Sequence, residues 1–437
     1  MAEMPTLGMT PKNRWLSRLR EAHNKMEHMQ QSEVQGAVQS GFDQQFLRFE
    51  PGAYGFPSPK VPVTPRRAWS LFPRRELAGF RAAHAGFGSE NVRFYTRARY
   101  ALFEALRCIG VGPKAGYLAP AYHCRTMLDP AIALAAPVYL YNLLPDLTPD
   151  LASVEQTLQA QPHIRCVLVP HYFGFVRDLS AIKNLCDQYG VDLIEDCSHA
   201  LFGGEQHAQF GRWGRFAIAS PPKFFPCADG GLLWAGRAED IRTLRPTSQG
   251  VKPELRGIWQ FVQYQRRSAP PVWGASPDAT AASVKTVAAS ADSVLPRGLS
   301  HDYNPSQQGQ GGLAWSRAVS RMTDVAQLIE ARRRNYTRWV EATQSLQGGV
   351  PLLPALAPDT VPYMFPLRLM SPETAFFSLK RQGLPVWRWD DLAVSDGSVA
   401  AQYRLALLHL PCHQELQDEE MDWMVKTVQQ ALSTNHK

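Results

Sequence analysis

The chain has 437 residues, of which 45% are hydrophobic, and a formal net charge of +7 with an isoelectric point near 9.0. This length accommodates two or more domains, or one large domain with a smaller one appended. The absence of any apolar run of eighteen residues argues against a transmembrane helix. The dispersed positive charge, without a recognisable nucleic-acid-binding module, indicates a basic surface that attracts anionic substrates rather than nucleic-acid binding.

The cysteines indicate the compartment in which the chain works. Seven are scattered along the sequence without a Cys-x-x-Cys pair, which argues against a disulfide framework or a zinc site and favours a reducing cytoplasm. The scattered carboxylates likewise have no metal-ligand spacing. The first 31 residues have no apolar segment of the kind found in signal peptides, so we expect a polar tail or a surface helix there.

Residues 1–90 are punctuated by prolines and predict an N-terminal tail and an irregular arm. From residue 91, helical and extended patterns alternate. Helices are predicted at 97–110, 124–136 (with a kink at Pro130), 151–161 and 178–190, and strands at 115–120, 137–143, 165–170, 191–196, 214–220 and 230–236. This alternation predicts the α/β class, with a large, doubly wound, mainly parallel sheet that carries helices on both faces.

The periodic pattern is lost in residues 250–312, which we expect to be an excursion, partly mobile, or an active-site cover. An arginine-rich helix is predicted at 314–345, and strands and helices from about residue 360 predict a smaller C-terminal α+β domain. The chain is therefore divided into a tail and arm (1–90), a large domain that includes the excursion (91–312), and a linking helix with the C-terminal domain (313–437).

Three groups lie at the carboxyl ends of predicted strands, where ligands of open α/β sheets bind. They are the segment PAYHC (120–124), Asp196 and Lys223. Lys223 lies in the apolar stretch IASPPKFFPCADGG, where an apolar setting lowers the pKa of a lysine and frees its nucleophilic neutral amine. A lysine and a carboxylate in one crevice are what pyridoxal phosphate requires, because the amine forms a Schiff base and the carboxylate pairs with the pyridinium nitrogen.

An ordered set of motifs from about residue 90 to the C-terminus resembles the DegT-type sugar aminotransferases. One motif is the spacing of Lys223 from the Asp229-Gly230-Gly231 turn, which corresponds to the family's G-E-G-G turn. The other motifs are RARYALFEAL (97–106), PAYHC (120–124), EDCSHA (195–200), RRRNY (332–336) and LHLPCHQEL (408–416).

The resemblance implies a fold-type I enzyme that uses pyridoxal 5'-phosphate and transfers an amino group from glutamate or glutamine to a keto sugar nucleotide. Lys223 would be the Schiff-base lysine and proton shuttle, and Asp196 would bind the pyridine nitrogen. His199 would contact the phenolic oxygen, and the amides of Ala98 and Arg99 would hold the phosphate at a helix N-terminus. The family also implies a homodimer whose active sites are built by both subunits.

Departures from the family pattern leave alternatives open. Ser220 lies three residues before the lysine rather than five, and is kept as a phosphate ligand. The ring-stacking position aligns with Cys124, with Tyr122 or His123 as alternatives. Asn304 either donates to the phosphate of a second subunit or caps a turn.

Two rival functions also remain. The first is another reaction of the same cofactor, such as dehydration or elimination. The second is a non-catalytic relative that acts as a regulator or scaffold. Some relatives that dehydrate sugars lack the lysine, so the presence of Lys223 favours transamination over dehydration. The presence of both Lys223 and Asp196 argues against a non-catalytic relative.

Overall fold

The computed structural model describes residues 44–49, 56–66, 80–85, 87–204, 207–266, 292–295 and 297–433. The strands, numbered along the chain, are β1 (Phe46–Phe49), β2 (Phe80–Ala82), β3 (Val92–Tyr95), β4 (Gly116–Pro120), β5 (Val138–Tyr141), β6 (Ile164–Pro170), β7 (Asp192–Asp196), β8 (Phe202–Gly204), β9 (Phe216–Ala219), β10 (Gly231–Ala235), β11 (Asp292–Leu295), β12 (Gly349–Pro351), β13 (Met364–Leu369), β14 (Asp391–Ala393) and β15 (Leu407–Pro411). The helices are α1 (Ala98–Ile109), α2 (Asp129–Ala133), α3 (Leu151–Ala160), α4 (Ser180–Tyr189), α5 (Val251–Arg266), α6 (Ala314–Met322), α7 (Val325–Thr343), α8 (Pro372–Arg381), α9 (Ser398–Ala406) and α10 (Asp418–Ser433).

The largest sheet has seven strands in the order β3-β10-β9-β7-β6-β4-β5. Strands β5, β4, β6, β7 and β9 are parallel, whereas β10 runs antiparallel to both β9 and β3. Successive residues of β4 alternate between two apolar cores. Tyr117 packs in the core that contains α1, and Leu118 in the core that contains α3 and α4. Helices on both faces therefore bury these strands, as a parallel sheet requires.

Two helices end where their sequences predict. Gly110 follows α1 with φ of 88°, and Gly190 follows α4 with φ of 65°. These left-handed conformations cost glycine little and let its amide bond the last carbonyls of the helix. After each helix the chain therefore turns back toward the sheet, so the next strand can join it.

The strand ends create the edge at which a ligand can bind. Because β3 is antiparallel to β10, it points in the same direction as the parallel strands, and the segments that follow β3, β4, β6, β7 and β9 meet at one edge. β10 begins at that same edge with Gly231, and a Cβ atom there would overlap the backbone of Arg97. The Gly230 amide also donates to the Thr96 carbonyl at 2.7 Å. The glycine pair thus allows the start of α1 to lie directly against β10.

A second, antiparallel sheet of order β12-β13-β15 forms the C-terminal part. Helix α7 packs on it, and Trp339 stacks on Phe365 with ring centroids 6.0 Å apart and planes inclined by 16°. This core is continuous with the core on one face of the large sheet. Side chains from the C-terminal part therefore lie close to the edge where the parallel strands end.

The structure corrects the prediction for residues 250–312. Val251–Arg266 form helix α5, because Gly257 packs against Leu313 and Phe261 packs edge-on against Trp315 at 5.4 Å. The partners of this helix lie some fifty residues further along the chain, so its own periodicity did not reveal it. Residues 267–291 of the predicted excursion lie outside the described residues.

Two further expectations change in detail. The predicted helix 314–345 is two helices, because Asp324 accepts the Gln327 amide at 3.0 Å and caps the start of α7. The predicted irregular arm contributes strand β1, which pairs with β11 and β14. The first 43 residues lie outside the described part. Within the described residues, the helices are too short or too polar to cross a membrane.

Candidate active site

The carboxyl edge of the large sheet holds a cavity of about 240 Å³. Counting the alternatives, eight of the ten residues predicted for the site line it, namely Lys223, Asp196, His199, Ala98, Arg99, Ser220, Cys124 and His123. Tyr122 and Asn304 do not. The loops after four neighbouring strands and the start of α1 therefore converge on one cavity, as the strand-end argument requires.

Lys223 ends the short 3-10 turn Pro221–Lys223 that follows β9. Its Nζ lies 5.3 Å from the centroid of the Tyr363 ring. Burial lowers the pKa of Lys223, and the opposing attraction of Asp196 is too weak to restore it. The lysine therefore offers a larger fraction of neutral, nucleophilic amine at a given pH than an exposed lysine does.

Asp196 ends β7 and is 2% exposed. One carboxylate oxygen lies 3.3 Å from His123 Nε2, and the other accepts the Ser198 amide at 2.8 Å. Burial alone would raise the pKa of Asp196, but its hydrogen bonds with His123 and Ser198 and its attraction to Lys223 outweigh burial and lower this pKa. Asp196 is thus kept ionised in a buried site, which is the state that pairs with a protonated ring nitrogen.

His199 lies on the wall of the cavity, with its ring 4.5 Å from that of Tyr363. Burial, together with the nearby charge of Lys223, lowers the pKa of His199 well below its ordinary value. A neutral imidazole at physiological pH is therefore available to exchange a hydrogen bond with a ligand oxygen.

The start of α1 forms the opposite end of the cavity. Arg97 is the N-cap residue and makes no side-chain capping bond, and Ala98 and Arg99 begin the helix. Unpaired amides and the helix dipole favour an anion at such a position. The Arg99 guanidinium donates to the Asp302 carbonyl. This end of the site, together with Ser220 on the lining, suits a phosphate group.

The three alternatives for the ring-stacking residue differ in position. Cys124 lines the cavity with its Sγ 3.0 Å from Thr126 Oγ1. His123 also lines it and stacks on Trp389, with centroids 5.5 Å apart and planes 16° from parallel. Tyr122 lies behind the lining, fully buried, with its hydroxyl 3.1 Å from His409 Nε2.

Asn304 is exposed and lies away from the cavity. Its Oδ1 accepts the Ser306 amide at 3.0 Å and caps the turn Pro305–Gln307. This geometry agrees with the capping alternative, and a contact with the phosphate of a second subunit stays a prediction.

The chemistry of the lining indicates a polar ligand. Ser198 lines the cavity, and its buried Oγ has no hydrogen-bond partner among the described residues. A buried hydroxyl without a partner is costly, so a ligand that supplies one stabilises the site. The basic amine, the ionised carboxylate and the helix start match the aldehyde, ring nitrogen and phosphate of the expected cofactor. The residues present therefore fit it.

A buried cluster beside the cavity has a different role. His171, Glu195 and Cys197 each offer a potential metal-ligand atom, and these atoms lie close enough together to contact a single ion. His171 Nε2 is 2.9 Å from Glu195 Oε1, whose carboxylate also accepts the amides of Gly211 and Trp213. Because protein donors occupy the Glu195 oxygens, these oxygens are not free to bind a metal ion. The cluster instead stabilises the end of β7 next to Asp196.

Five residues of the cavity wall come from the C-terminal part and were not predicted from the sequence: Tyr363, Met364, Trp387, Trp389 and His409. His409 lies in the motif LHLPCHQEL, to which the sequence analysis gave no role for this side chain, and Trp389 lies in a segment that the sequence analysis did not single out. No spacing rule connects them to Lys223, since tertiary packing alone brings them there.

Comparison with known proteins shows which family this part of the chain resembles. Residues 82–255 match the model of the DegT/DnrJ/EryC1/StrS aminotransferase family. Over these residues the chain resembles that family. The matched segment includes Ala98, Asp196 and Lys223, so the family resemblance expected from the motifs is confirmed.

Two curated proteins that the chain matches are aminotransferases. It is 30% identical over 183 residues to the dTDP-3-amino-3,4,6-trideoxy-alpha-D-glucose transaminase of Streptomyces venezuelae, covering 39% of this chain and 46% of the relative. It is 26% identical over 189 residues to the UDP-N-acetyl-3-dehydro-alpha-D-glucosamine 3-aminotransferase of Acidithiobacillus ferrooxidans, covering 42% and 47%. The chain thus spans about half the length of the curated relatives it matches.

The fold extends further than the sequence match. The aminotransferase TlmJ from Streptoalloteichus hindustanus superposes with a TM-score of 0.59 at 20% identity, covering 80% of this chain and 88% of that one. The predicted α/β fold, of the fold-type I aminotransferase kind, is confirmed by this likeness and by the seven-stranded sheet.

Proposed function

We propose that the protein is a pyridoxal 5'-phosphate-dependent aminotransferase that moves an amino group from glutamate or glutamine to a keto sugar nucleotide. One observation carries the proposal: Lys223, with a lowered pKa, and Asp196, kept ionised, face the same cavity. The transaminase names of the two curated relatives, each of which refers to a nucleotide-linked sugar, support the reaction and the acceptor class.

Each part of the cofactor has a matching group on the chain. Lys223 would hold the aldehyde, Asp196 the pyridine nitrogen and His199 the phenolic oxygen. Ser220 and the amides that begin α1 would hold the phosphate. When bound, the cofactor supplies an aldehyde that links covalently to amines and a ring that withdraws electrons from the attached carbon.

The chain's own residues then account for proton movement and exclusion of water. Lys223 Nζ would take up a proton and return it during the transfer, since Lys223 lines the cavity. The hydrogen bonds from His123 and Ser198 hold the Asp196 carboxylate in one orientation. Trp389 and Tyr363, which are 8% and 7% exposed, cover the cavity from the C-terminal side and keep water out.

We further propose a homodimer in the cytoplasm. Helix α5 leaves Val251, Leu255 and Trp259 at 74%, 61% and 59% exposure. Exposed apolar side chains along one helix face support an interface with a second copy. All seven cysteines are free, which supports a reducing compartment. The division into tail and arm, large domain and C-terminal domain at residues 90 and 312 is kept as part of the proposal.

The test of the function is transfer of nitrogen-15 from labelled glutamate or glutamine to keto sugar nucleotides, followed by mass spectrometry. The wild type and Lys183→Ala, a control lysine on the surface of α4, should form the amino sugar nucleotide, and Lys223→Ala should not. Formation of a dehydrated product without label would instead support the dehydration alternative. Unchanged transfer by Lys223→Ala would refute the proposed role of the lysine.

A further inference from the structure

Two motifs of the C-terminal half have no part in the mechanism above, yet they meet directly behind Lys223. Arg332 begins the RRRNY motif on α7 and is completely buried. Gln414 belongs to the motif LHLPCHQEL, after β15. Arg332 Nε donates to Gln414 Oε1 at 3.0 Å, so the two side chains form one unit.

This pair binds the backbone of the lysine turn at two consecutive carbonyls. Arg332 Nη2 donates to the Lys223 carbonyl at 2.9 Å, and Gln414 Nε2 donates to the Phe224 carbonyl at 2.8 Å. The Arg332 guanidinium also lies 4.6 Å from the centroid of the Phe224 ring. We call this unit the Arg332–Gln414 clamp.

The same arginine binds the segment that carries Tyr363. Arg332 Nη1 donates to the carbonyls of Pro362 and Tyr363, each at 3.2 Å. The Tyr363 ring in turn faces Lys223 Nζ at 5.3 Å. One guanidinium therefore fixes both the main chain of the lysine and the ring that lies opposite its amine.

Burial of the charged Arg332 guanidinium costs free energy. The four acceptors of Arg332 described above are uncharged oxygens, so hydrogen bonds rather than an ion pair compensate its burial. An apolar side chain of similar size would avoid that cost. The planar guanidinium, with its fixed set of donors, can instead hold several carbonyls in one geometry.

We propose that the Arg332–Gln414 clamp positions Lys223, by holding the main-chain carbonyls of the lysine turn and the Tyr363 segment in a fixed relation. The turn before Lys223 is short, and the clamp fixes its far end. Loss of the clamp lets the turn shift, and the amine then no longer meets its electrophile in the reactive geometry. The proposal rests on the function proposed above for Lys223.

The experiment compares Arg332→Met and Gln414→Leu with the control Arg333→Met in the full-length protein loaded with pyridoxal phosphate. Arg333 is the adjacent arginine and donates to the carbonyls of Ala357 and Thr360, at 2.8 and 2.6 Å, away from the lysine turn. Two quantities are measured for each variant: total bound cofactor, released by alkali, and the fraction of it fixed to Lys223 by borohydride.

We expect total bound cofactor to stay within about twofold of the wild type in all variants, because Asp196 and the start of α1 are unchanged. The fraction fixed to Lys223 should fall by roughly tenfold in Arg332→Met, by less in Gln414→Leu, and not in Arg333→Met. A purely structural defect would lower both quantities together. A fixed fraction equal to the wild type in both clamp variants would overturn the proposal, and the milder Gln414→Leu decides if Arg332→Met does not fold.

A measurement without cofactor separates this proposal from the proposed function. Lys223 in the cofactor-free protein is labelled by reductive methylation, and the rate is followed by peptide mapping. Release of the clamp should speed labelling more than threefold relative to Arg333→Met, because a freed turn exposes the amine. Wild-type protein that fixes no cofactor on Lys223 would refute the proposed function alone. Equal labelling rates in the clamp variants and the control would refute the clamp alone.

Discussion

The most informative substitution is Asp196→Asn, because it keeps the shape of a fully buried side chain and removes its charge. The native carboxylate accepts a hydrogen bond from the Ser198 amide at 2.8 Å and lies 3.3 Å from His123 Nε2, and an asparagine oxygen can still accept from one of them. At a separation of about 3 Å and an effective dielectric constant of about 20, a carboxylate and a protonated ring nitrogen attract by roughly 5 kcal/mol. An amide retains part of this, so we expect a loss of about 3–5 kcal/mol in the barrier, or about 10²–10⁴-fold in kcat.

The assay measures kcat for amino transfer at saturating substrate, with the absorption spectrum of the bound cofactor recorded in parallel. Asp187→Asn is the matched control, since Asp187 is an exposed aspartate on α4 that pairs with Lys183. We expect Asp187→Asn to be indistinguishable from the wild type. An Asp196→Asn enzyme with kcat within threefold of the wild type and an unchanged spectrum would refute the electrostatic role of this carboxylate.

Three further predictions test the packing, the titration and the assembly. Burial lowers the pKa of His413 to about 3. Below pH 6.5 the unfolded chain therefore binds a proton at His413 that the folded chain does not bind. The free energy of unfolding accordingly falls as the pH is lowered from 6.5 toward 3. In urea unfolding, His413→Gln should reduce this slope by up to about 1.4 kcal/mol per pH unit, and an unchanged slope would contradict the buried neutral state. Gly231→Ala should lower the free energy of unfolding by at least about 2 kcal/mol, because its Cβ would overlap the backbone at the start of α1. The control Gly236→Ala, with open space around it, should change the free energy of unfolding by less than about 1 kcal/mol. Equal effects of the two substitutions would refute the close approach of α1 to Gly231. Mixing Lys223→Ala with Asn304→Ala subunits should restore activity if the sites are shared, and mixtures that stay inactive after verified subunit exchange would remove Asn304 from the site.

The sequence predicted the parts of the fold whose signals are local. The strand pattern at 191–196 and the helix ending at Gly190 are confirmed, because burial on both faces and a left-handed glycine each leave a mark within a few residues. Helix α5 was missed because the Gly257 and Phe261 contacts that stabilise it come from a distant segment. The break at Asp324 was missed because a capping aspartate inside an arginine-rich helical pattern resembles a surface residue.

The site residues also divide into those that a local signal predicts and those that only distant packing brings to the cavity. Lys223 and Asp196 were predicted because each lies at the carboxyl end of a strand of the parallel sheet, and position in the topology determines that they meet. Tyr363, Trp389 and His409 reach the cavity only through packing of the C-terminal sheet against the large one, which no short-range pattern encodes. The roles of the individual site residues remain predictions until the variants are measured.

The central claim is that Lys223 carries the cofactor, and borohydride reduction followed by peptide mapping tests it most directly. The purified protein is loaded with pyridoxal phosphate, reduced, digested and analysed by mass spectrometry, with Lys223→Ala treated in parallel. We predict a single pyridoxyl adduct on the peptide that contains Lys223, and its loss in the variant. An adduct on another lysine, or no adduct on a protein that has bound the cofactor, would contradict the account.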